Sequence, residues 1–471
     1  MIIGRKKEIT LLNEIVDTPN ACFVAVYGRR RVGKTFLIRE KFANQFAFYV
    51  SGTSKGNTKR QLNNFYVALT DYGADESEIP KDWFQAFKML SKLMENNPSP
   101  RKIIFIDEMP WLDTPKSEFL SALESFWNQW ASARKDIVLF ACGSATSWII
   151  KKIVNDRGGL HNRITHHIYL HPFTLSETEQ FLQSRNFQLN RYQIVQAYMV
   201  LGGIPYYLDC LRPHLSITQN IDEIFFSPTG ILKNEFQNLF RSLFKNAEKH
   251  LKIIEALSKK DRALSRNEIA KSSKISNGGG LTTVLEELEL CDFISKTYPF
   301  QGNVNNALYQ IKDAFTLFYY RFLFSEKHIK TNFWINNLDS PAYRQWSGVA
   351  FEKVCFNHVA QICKSLSIAG IQTVETSWRD NNAKPKTQID LLIDRKDQVI
   401  NLCEIKFSEG AFSIDKTYAE KLRNRIQVFK NHTQTNKAVF MTLITTYPMI
   451  ENAYSKELVV NKLTMDDLFD S

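Results

Sequence analysis

Residues 21–27, Ala-Cys-Phe-Val-Ala-Val-Tyr, run into Gly28-Arg29-Arg30-Arg31-Val32-Gly33-Lys34-Thr35, and a helical pattern follows through Phe36, Leu37 and Ile38. A near-continuous apolar run is how a strand covered on both faces reads. G-x-x-x-x-G-K-T between such a strand and a helix is a phosphate-cradling loop. Its glycines let the backbone curl until several N–H groups face the phosphates, and the helix start adds the positive end of its dipole. Residues Gly28, Arg29, Arg30, Arg31, Val32, Gly33, Lys34, Thr35 and Phe36 are therefore expected to surround a nucleotide. Lys34 should reach the β- and γ-phosphates, and the Thr35 hydroxyl should ligate Mg²⁺. The alternative, a plain glycine turn before a helix, fits poorly because motif and setting agree. This one stretch commits the amino-terminal third to a parallel α/β fold.

Lys102-Ile103-Ile104-Phe105-Ile106-Asp107-Glu108 predicts a second buried strand ending in two acids, a Walker B pattern. Acids at the carboxyl end of a parallel strand emerge into the ligand crevice. Asp107 is expected in the Mg²⁺ shell. Glu108 is expected to polarise the attacking water, or else to cap a helix. Residues 136–144 predict a third strand with a polar end. There Ser144 is either a sensor touching the γ-phosphate or a turn serine. Arg163, just ahead of a strand-like run from Ile164 to Leu170, is either an arginine finger serving a neighbouring subunit or a surface arginine.

Several of these segments recur in a fixed order. They are Gly4-Arg5 with Glu8 and Leu12, the Walker pair, Gly143-Ser144, Leu160 with Arg163, Pro172-Phe173, and Gly202-Gly203-Ile204-Pro205-Tyr206-Tyr207-Leu208. Together they resemble the archaeal-type ATPases of the AAA+/STAND class, which also occur in bacteria. The resemblance implies a P-loop AAA+ parallel sheet with a helical lid over residues 1–212, and ATP and Mg²⁺ as cofactors. It also implies that Gly4 and Arg5 lie near the adenine, that Pro205 of the lid closes over the base, and that homo-oligomers dock Arg163. No lid arginine follows as a second sensor. Gly-x-Pro stands in its place, as in slowly turning switch ATPases.

Residues 213–245 are expected to form a helical connector. Apolar spacing over His250–Leu257, a short helix opening at Asn267, a turn at 277–280 and a third helix from Leu281 to Leu290 resemble a winged helix over 246–313, with 293–294 and 308–311 as its wing. The third helix is where base contacts would be made. It carries Glu286, Glu287 and Glu289, which would repel phosphates. A packing or hinge module is therefore the expected role. Residues 314–345 are dense in aromatics at helical spacing. They are expected to be core and domain-joining contacts rather than a base-stacking platform.

The carboxyl-terminal third holds a second constellation. A helix is expected from Ser347 past Cys363, with Glu352 on it, and a strand from Thr373 to Ser377. Asp390 lies on the first strand of a hairpin pattern (388–394), and Glu404-x-Lys406 ends the second (399–406). Alternation places Glu404 and Lys406 on one face, and antiparallel pairing can bring Asp390 there. Two carboxylates can ligate Mg²⁺, and a nearby ammonium can orient water and offset phosphate charge. A basic helix (415–429) and a strand (438–443) follow. The order resembles the PD-(D/E)XK nuclease superfamily over about 346–445, within a proposed domain 346–471. The resemblance implies Glu352, Asp390 and Glu404 as metal ligands and Lys406 as a catalytic cation. The family pattern often has proline before the first acid, whereas Ile389 stands here. A cleaving domain, a nucleic-acid-binding remnant and a purely structural domain all remain open on these residues.

Composition narrows the class. The chain has 471 residues, 44% hydrophobic and 23% charged, and a net charge of +11. These values exclude a mainly disordered or collagen-like chain, and the basic balance favours a polyanionic partner, DNA or RNA. Seven scattered cysteines without Cys-x-x-Cys fit reduced thiols better than a zinc site. No run of 18 apolar residues, secretory start or prenylation box is present, so a cytoplasmic location is expected. The expected fold is thus a multidomain α/β chain. Three functions compete: a nuclease gated by ATP, a nucleotide switch assembling with a partner, and a DNA-binding regulator. The acidic third helix counts against the last.

Overall fold

The computed structural model describes residues 1–75, 78–155, 159–160, 162–244, 246–302, 306–324, 332–380, 383 and 385–470. They divide into two compact units, Met1–Pro172 and Phe173–Ser471.

The first unit is built on a parallel sheet of β1 (Cys22–Tyr27), β2 (Phe46–Ser51), β3 (Lys102–Asp107), β4 (Ile137–Cys142) and β5 (His166–Tyr169). Their order across the sheet is β2-β3-β4-β1-β5. Strands β3 and β4 are buried along their whole length, as near-continuous apolar runs require. Helices Thr58–Asp71, Trp83–Asn96 and Phe119–Gln129 send Phe65, Trp83, Phe87 and Phe119 into a shared core beneath the sheet. Because the strands are parallel, the carboxyl ends of β1, β3 and β4 emerge at one edge. That geometry brings Gly28, Asp107 and Ser144 together from separate stretches of sequence.

The second unit opens with helices Leu175–Ser184 and Arg191–Leu201, each started by a full capping box, Thr174 with Glu177 and Asn190 with Gln193. These helices are the expected ATPase lid, whose expected boundary is at 212/213. They pack among later elements, the helix Arg191–Leu201 lying against helices Ala314–Phe322 and Pro341–Asn357. The compact units therefore part at 172/173. Between lid and middle lie Ile217–Ile221 and Glu235–Leu243. Next come helices Ala247–Ser258, Arg266–Ser273 and Gly279–Leu290 with a small antiparallel sheet of β6 (Leu264–Ser265), β7 (Ile294–Thr297) and β8 (Leu308–Ile311), ordered β6-β8-β7. The aromatics Phe315, Phe318, Phe322 and Trp334 are buried.

A second five-stranded sheet closes the chain: β9 (Thr373–Asp380), β10 (Thr387–Arg395), β11 (Val399–Lys406), β12 (Ala438–Thr445) and β13 (Asn461–Thr464), ordered β13-β12-β11-β10-β9. The β9–β10–β11 part is antiparallel, and β11–β12–β13 is parallel. Helix Lys416–Thr433, capped by Asp415, makes the crossover from β11 to β12. The single helix expected from Ser347 past Cys363 is two helices, Pro341–Asn357 and Val359–Ser365, broken at His358. None of the seven cysteines forms a disulfide. Among the described residues no helix is long and apolar enough to cross a membrane.

Candidate active sites

The loop after β1 curls back on itself ahead of helix Lys34–Lys41. Gly28 sits at φ +140°, and a Cβ there would meet the Leu170 carbonyl oxygen at 2.4 Å. Gly33, at φ +93°, caps helix Lys34–Lys41. Lys34 is buried, and its Nζ donates to the carbonyls of Gly28 (2.8 Å) and Arg29 (2.9 Å). The ammonium thus lies back against its own loop. The Thr35 hydroxyl donates to both Asp107 oxygens, at 3.1 and 2.9 Å. Burial, then the neighbouring Glu108, pushes the Asp107 carboxyl above its ordinary range, while the Thr35 hydrogen bond opposes this. A buried carboxylate raised in this way favours a bound cation.

Glu108 lies in the left-handed region at φ 44°. Its Oε2 accepts from the Ser144 backbone N–H (3.2 Å) and hydroxyl (2.9 Å). Ser144 therefore reaches the candidate base directly, and the strained backbone of Glu108 is held by that pair of bonds. Two further residues brace the cradle. The Thr146 hydroxyl donates to the Gly28 carbonyl at 2.9 Å. Buried Arg5 donates to the carbonyls of His171 (2.7 Å) and, on the loop itself, Val32 (3.2 Å). Gly4 precedes it at φ 63°. Thr146 carried no sequence signal, because a threonine after a strand fits any turn. Phe36 is 52% exposed and lines a cleft with Arg39, Phe46, Tyr49 and Tyr72. Arg29 is buried, while Arg30 and Arg31 are half-buried and Val32 is buried. Arg163 is exposed, its N–H bonded to the Leu160 carbonyl. Pro205 starts a short helix of the second unit.

In the second unit, residues of β10, β11 and two helices converge. Leu391 faces Cys403 across the ladder, and continuing that register sets Asp390 opposite Glu404. The pairing of β10 with β9 shifts by one residue between Ile389 and Leu392. Asp390 and Leu391 thus fall within the bulge, where two residues of β10 face one of β9. Asp390 Oδ2 accepts from the Ile405 N–H at 3.1 Å. Glu404 is 2% exposed and densely held: Lys406 Nζ lies 2.8 Å from Oε1, the Tyr418 hydroxyl donates to the same oxygen, and Arg425 pairs with Oε2. Burial followed by Asp390 raises the Glu352 carboxyl, and burial followed by Glu404 raises Asp390. Burial alone would lower Lys406, but Glu404 and Tyr418 hold its ammonium above the ordinary lysine value.

The predicted quartet of Glu352, Asp390, Glu404 and Lys406 thus forms one electrostatically linked group. It is not a finished metal cage: among the described residues, no three His, Cys, Asp or Glu side chains are so arranged. Glu404 is instead neutralised by Lys406 and Arg425. Tyr418 was not singled out from sequence, and Arg425 only as one of several basic residues suited to phosphates. Their spacing on a basic helix matches any solvated face, and only the crossover to β12 turns them toward Glu404.

Residues 2–211 match the family model of an ATPase domain found predominantly in Archaea. An uncharacterized protein of Methanocaldococcus jannaschii is 26% identical over 370 residues, covering 77% of this chain and 78% of its own. Among solved structures, a Walker-type ATPase of Pyrococcus abyssi is similar at TM-score 0.49 and 16% identity, over 68% of this chain and 96% of that one. The ORC2 protein of Aeropyrum pernix, in its ADPNP–ADP complexes, is similar at TM-score 0.41 and 13% identity, over 76% and 96%. The chain carries an archaeal-type ATPase domain, and it is an ATPase.

Proposed function

We propose that ATP binding and hydrolysis in this protein gate a carboxyl-terminal, metal-dependent nuclease-like domain that acts on DNA or RNA. The observation that carries this reading is the meeting of Asp390, Glu404 and Lys406 across one β-hairpin, with Glu352 coupled to them from a helix. Burial, with the charge of Asp390 acting on Glu352 and that of Glu404 on Asp390, raises both carboxyls, and a divalent cation would relieve that cost. Those two side chains would hold it, and bound there it would supply Lewis-acid polarisation of a phosphodiester. Lys406 offsets the charge that develops on the phosphate.

On the ATPase side, Lys34 would leave the Gly28 and Arg29 carbonyls for the β- and γ-phosphates, and Thr35 and Asp107 would hold Mg²⁺, which would offset phosphate charge. Ser144 releases Glu108 to orient water as it takes up the γ-phosphate. The exposed Arg163 of one copy completes the site of another, so turnover should rise with protein concentration. The roles of Gly4 and Arg5 near the adenine, and of Pro205 over the base, belong to the same reading. Residues 246–313 are read as a winged helix used for packing: Glu287 turns inward to His250 at 2.9 Å rather than offering a cationic face.

One observation favours a second reading. Glu404 is already saturated by Lys406, Arg425 and Tyr418, as in a domain that binds nucleic acid or a protein without cutting while ATP drives assembly. A cleavage assay separates the two. Plasmid, linear and single-stranded substrates are incubated with Mg²⁺ or Mn²⁺, with and without ATP. The gated nuclease predicts metal-dependent cutting that Asp390→Ala and Lys406→Ala abolish and Lys34→Ala makes insensitive to ATP. Intact substrate under every condition, with ATP still hydrolysed, would leave the switch reading.

A further inference from the structure

Beside the Asp390 group lies a cleft of about 290 Å³ whose walls come from two parts of the second unit. One wall is the sheet, with Asp390, Trp378 and Arg379, joined by Glu352 from its helix. The other is the middle module, with Arg262, Pro299 and Phe300. The walls are tied together. The Thr376 hydroxyl donates to the Tyr298 carbonyl at 2.8 Å, Phe300 packs on Phe429 with ring centres 5.5 Å apart, and Lys353 Nζ donates to Gln310 at 2.5 Å. Gln345 also bonds Asp261.

The lining is unusual for a structural seam. Arg379 Nη1 is buried and has no hydrogen-bond partner among the described residues. Burial first, and then the nearby guanidinium of Arg262, disfavour its charge, while Glu268, which pairs with Arg262 at 2.8 Å, favours it. A buried guanidinium nitrogen left unpaired is costly. An anion on Arg379 would remove that cost and offset the repulsion from Arg262, and a phosphate matches the fork of an arginine. Phe300 and Trp378 line the same cleft and supply an apolar wall against which a base can pack. The volume falls at the small end of ligand pockets, which run from about 300 Å³. That is the scale of a single nucleotide.

We propose that this cleft receives a single nucleotide of an unpaired strand, its phosphate on Arg379 and Arg262 and its base against Phe300 and Trp378, and thereby restricts the Asp390 site to single-stranded nucleic acid. The chemistry at Asp390 rests on the nuclease-like reading, while the binding does not.

The test uses the full chain in EDTA, with fluorescein-labelled 12-nucleotide DNA and RNA single strands and a blunt DNA duplex of the same sequence, read by anisotropy. Single strands should bind about tenfold or more tighter than the duplex. Arg379→Ala should remove about tenfold or more of that affinity, and Arg379→Lys should restore part of it. Melting temperatures of both variants confirm folding. Preference for DNA or for RNA in the single-strand arms identifies the natural strand and supports the assignment in either case. Equal binding of duplex and single strand, or a folded Arg379→Ala protein with unchanged affinity, overturns it. Cleavage of the same oligonucleotides in Mn²⁺ separates the two readings. Arg379-dependent binding without cutting sinks the nuclease and keeps the cleft. Cutting of duplex and single strands alike, indifferent to Arg379, does the reverse.

Discussion

A methyl group on Gly28 would have to displace the Leu170 carbonyl from 2.4 Å and hold a backbone at φ +140°. Gly33 is different, for nothing lies within 4 Å of a Cβ there and only its φ of +93° resists substitution. Gly28→Ala should therefore cost about 3 kcal/mol or more in urea unfolding, and Gly33→Ala about 1–2 kcal/mol. Equal costs would mean that the close approach to Leu170 is not made. Both glycines, with Lys34, Thr35 and Asp107, were legible from sequence because loop chemistry dictates residue type at fixed spacing. Arg5 was placed near the adenine by resemblance alone; its bond to the Val32 carbonyl depends on a turn that brings the chain start back to the loop. Tyr418, and the pairing of Arg425 with Glu404, were illegible for a like reason: a helix face has no identity until its crossover is fixed.

Elements were easiest to read where burial is complete on both sides. Strands β1, β3 and β4 fall close to their predicted spans. The break in the helix after Asn357 was not readable, since no proline or glycine marks it. It occurs because His358 serves two partners: Nδ1–H donates to the Val354 carbonyl at 2.7 Å, and Nε2 accepts the Leu175 N–H at 2.9 Å. This fixes a neutral ring, and burial lowers its titration to about 4. A histidine that must stay neutral in the fold favours folding fully above pH 6.5, the unfolded value, and loses that contribution as pH falls toward 4. The loss should reach about 3 kcal/mol. Denaturant unfolding at pH 7 and pH 4 should show a smaller acid loss in His358→Gln than in the parent; identical losses would refute the assignment. Between β3 and β4, Asp136 takes Lys102 Nζ at 2.6 Å and the Arg134 guanidinium at 2.7 Å, and these cations hold its carboxyl well below the usual range. Asp136→Asn should cost about 1–2 kcal/mol at pH 7. The cost should shrink as pH falls below about 4, where the carboxyl takes up a proton in the unfolded chain while the native, paired carboxyl stays ionised. A difference that is flat from pH 7 to pH 2 would exclude the ion pairs as its source.

At the scale of the molecule, the helices at 175–201 belong to the matched ATPase segment yet pack with the carboxyl-terminal unit. Tyr192 lies between Phe407 and Tyr447, with ring centres 5.4 and 5.5 Å away, and Arg191 pairs with Asp466. Phe407 directly follows Lys406 and in turn packs on Phe351, the neighbour of Glu352. A fragment 173–471 should therefore unfold as one cooperative transition. A fragment 213–471, stripped of Val195, Tyr198 and Met199, should lose that cooperativity and expose apolar surface to a hydrophobic dye. A cooperative 213–471 would mean that the lid helices are dispensable to the unit.

That arrangement also bears on inheritance. Genes exchange parts where an exchanged piece can still fold, and here the joint lies at 172/173, inside the region that sequence similarity marks as one ATPase. A descendant acquiring a new carboxyl-terminal domain by recombination at the end of the similarity would orphan Tyr192 and Arg191 from their partners. Viable fusions should instead carry the helices at 175–201 along with the elements they pack against, so that residues 173–471 diverge as one unit while the loop after β1 evolves under separate constraint.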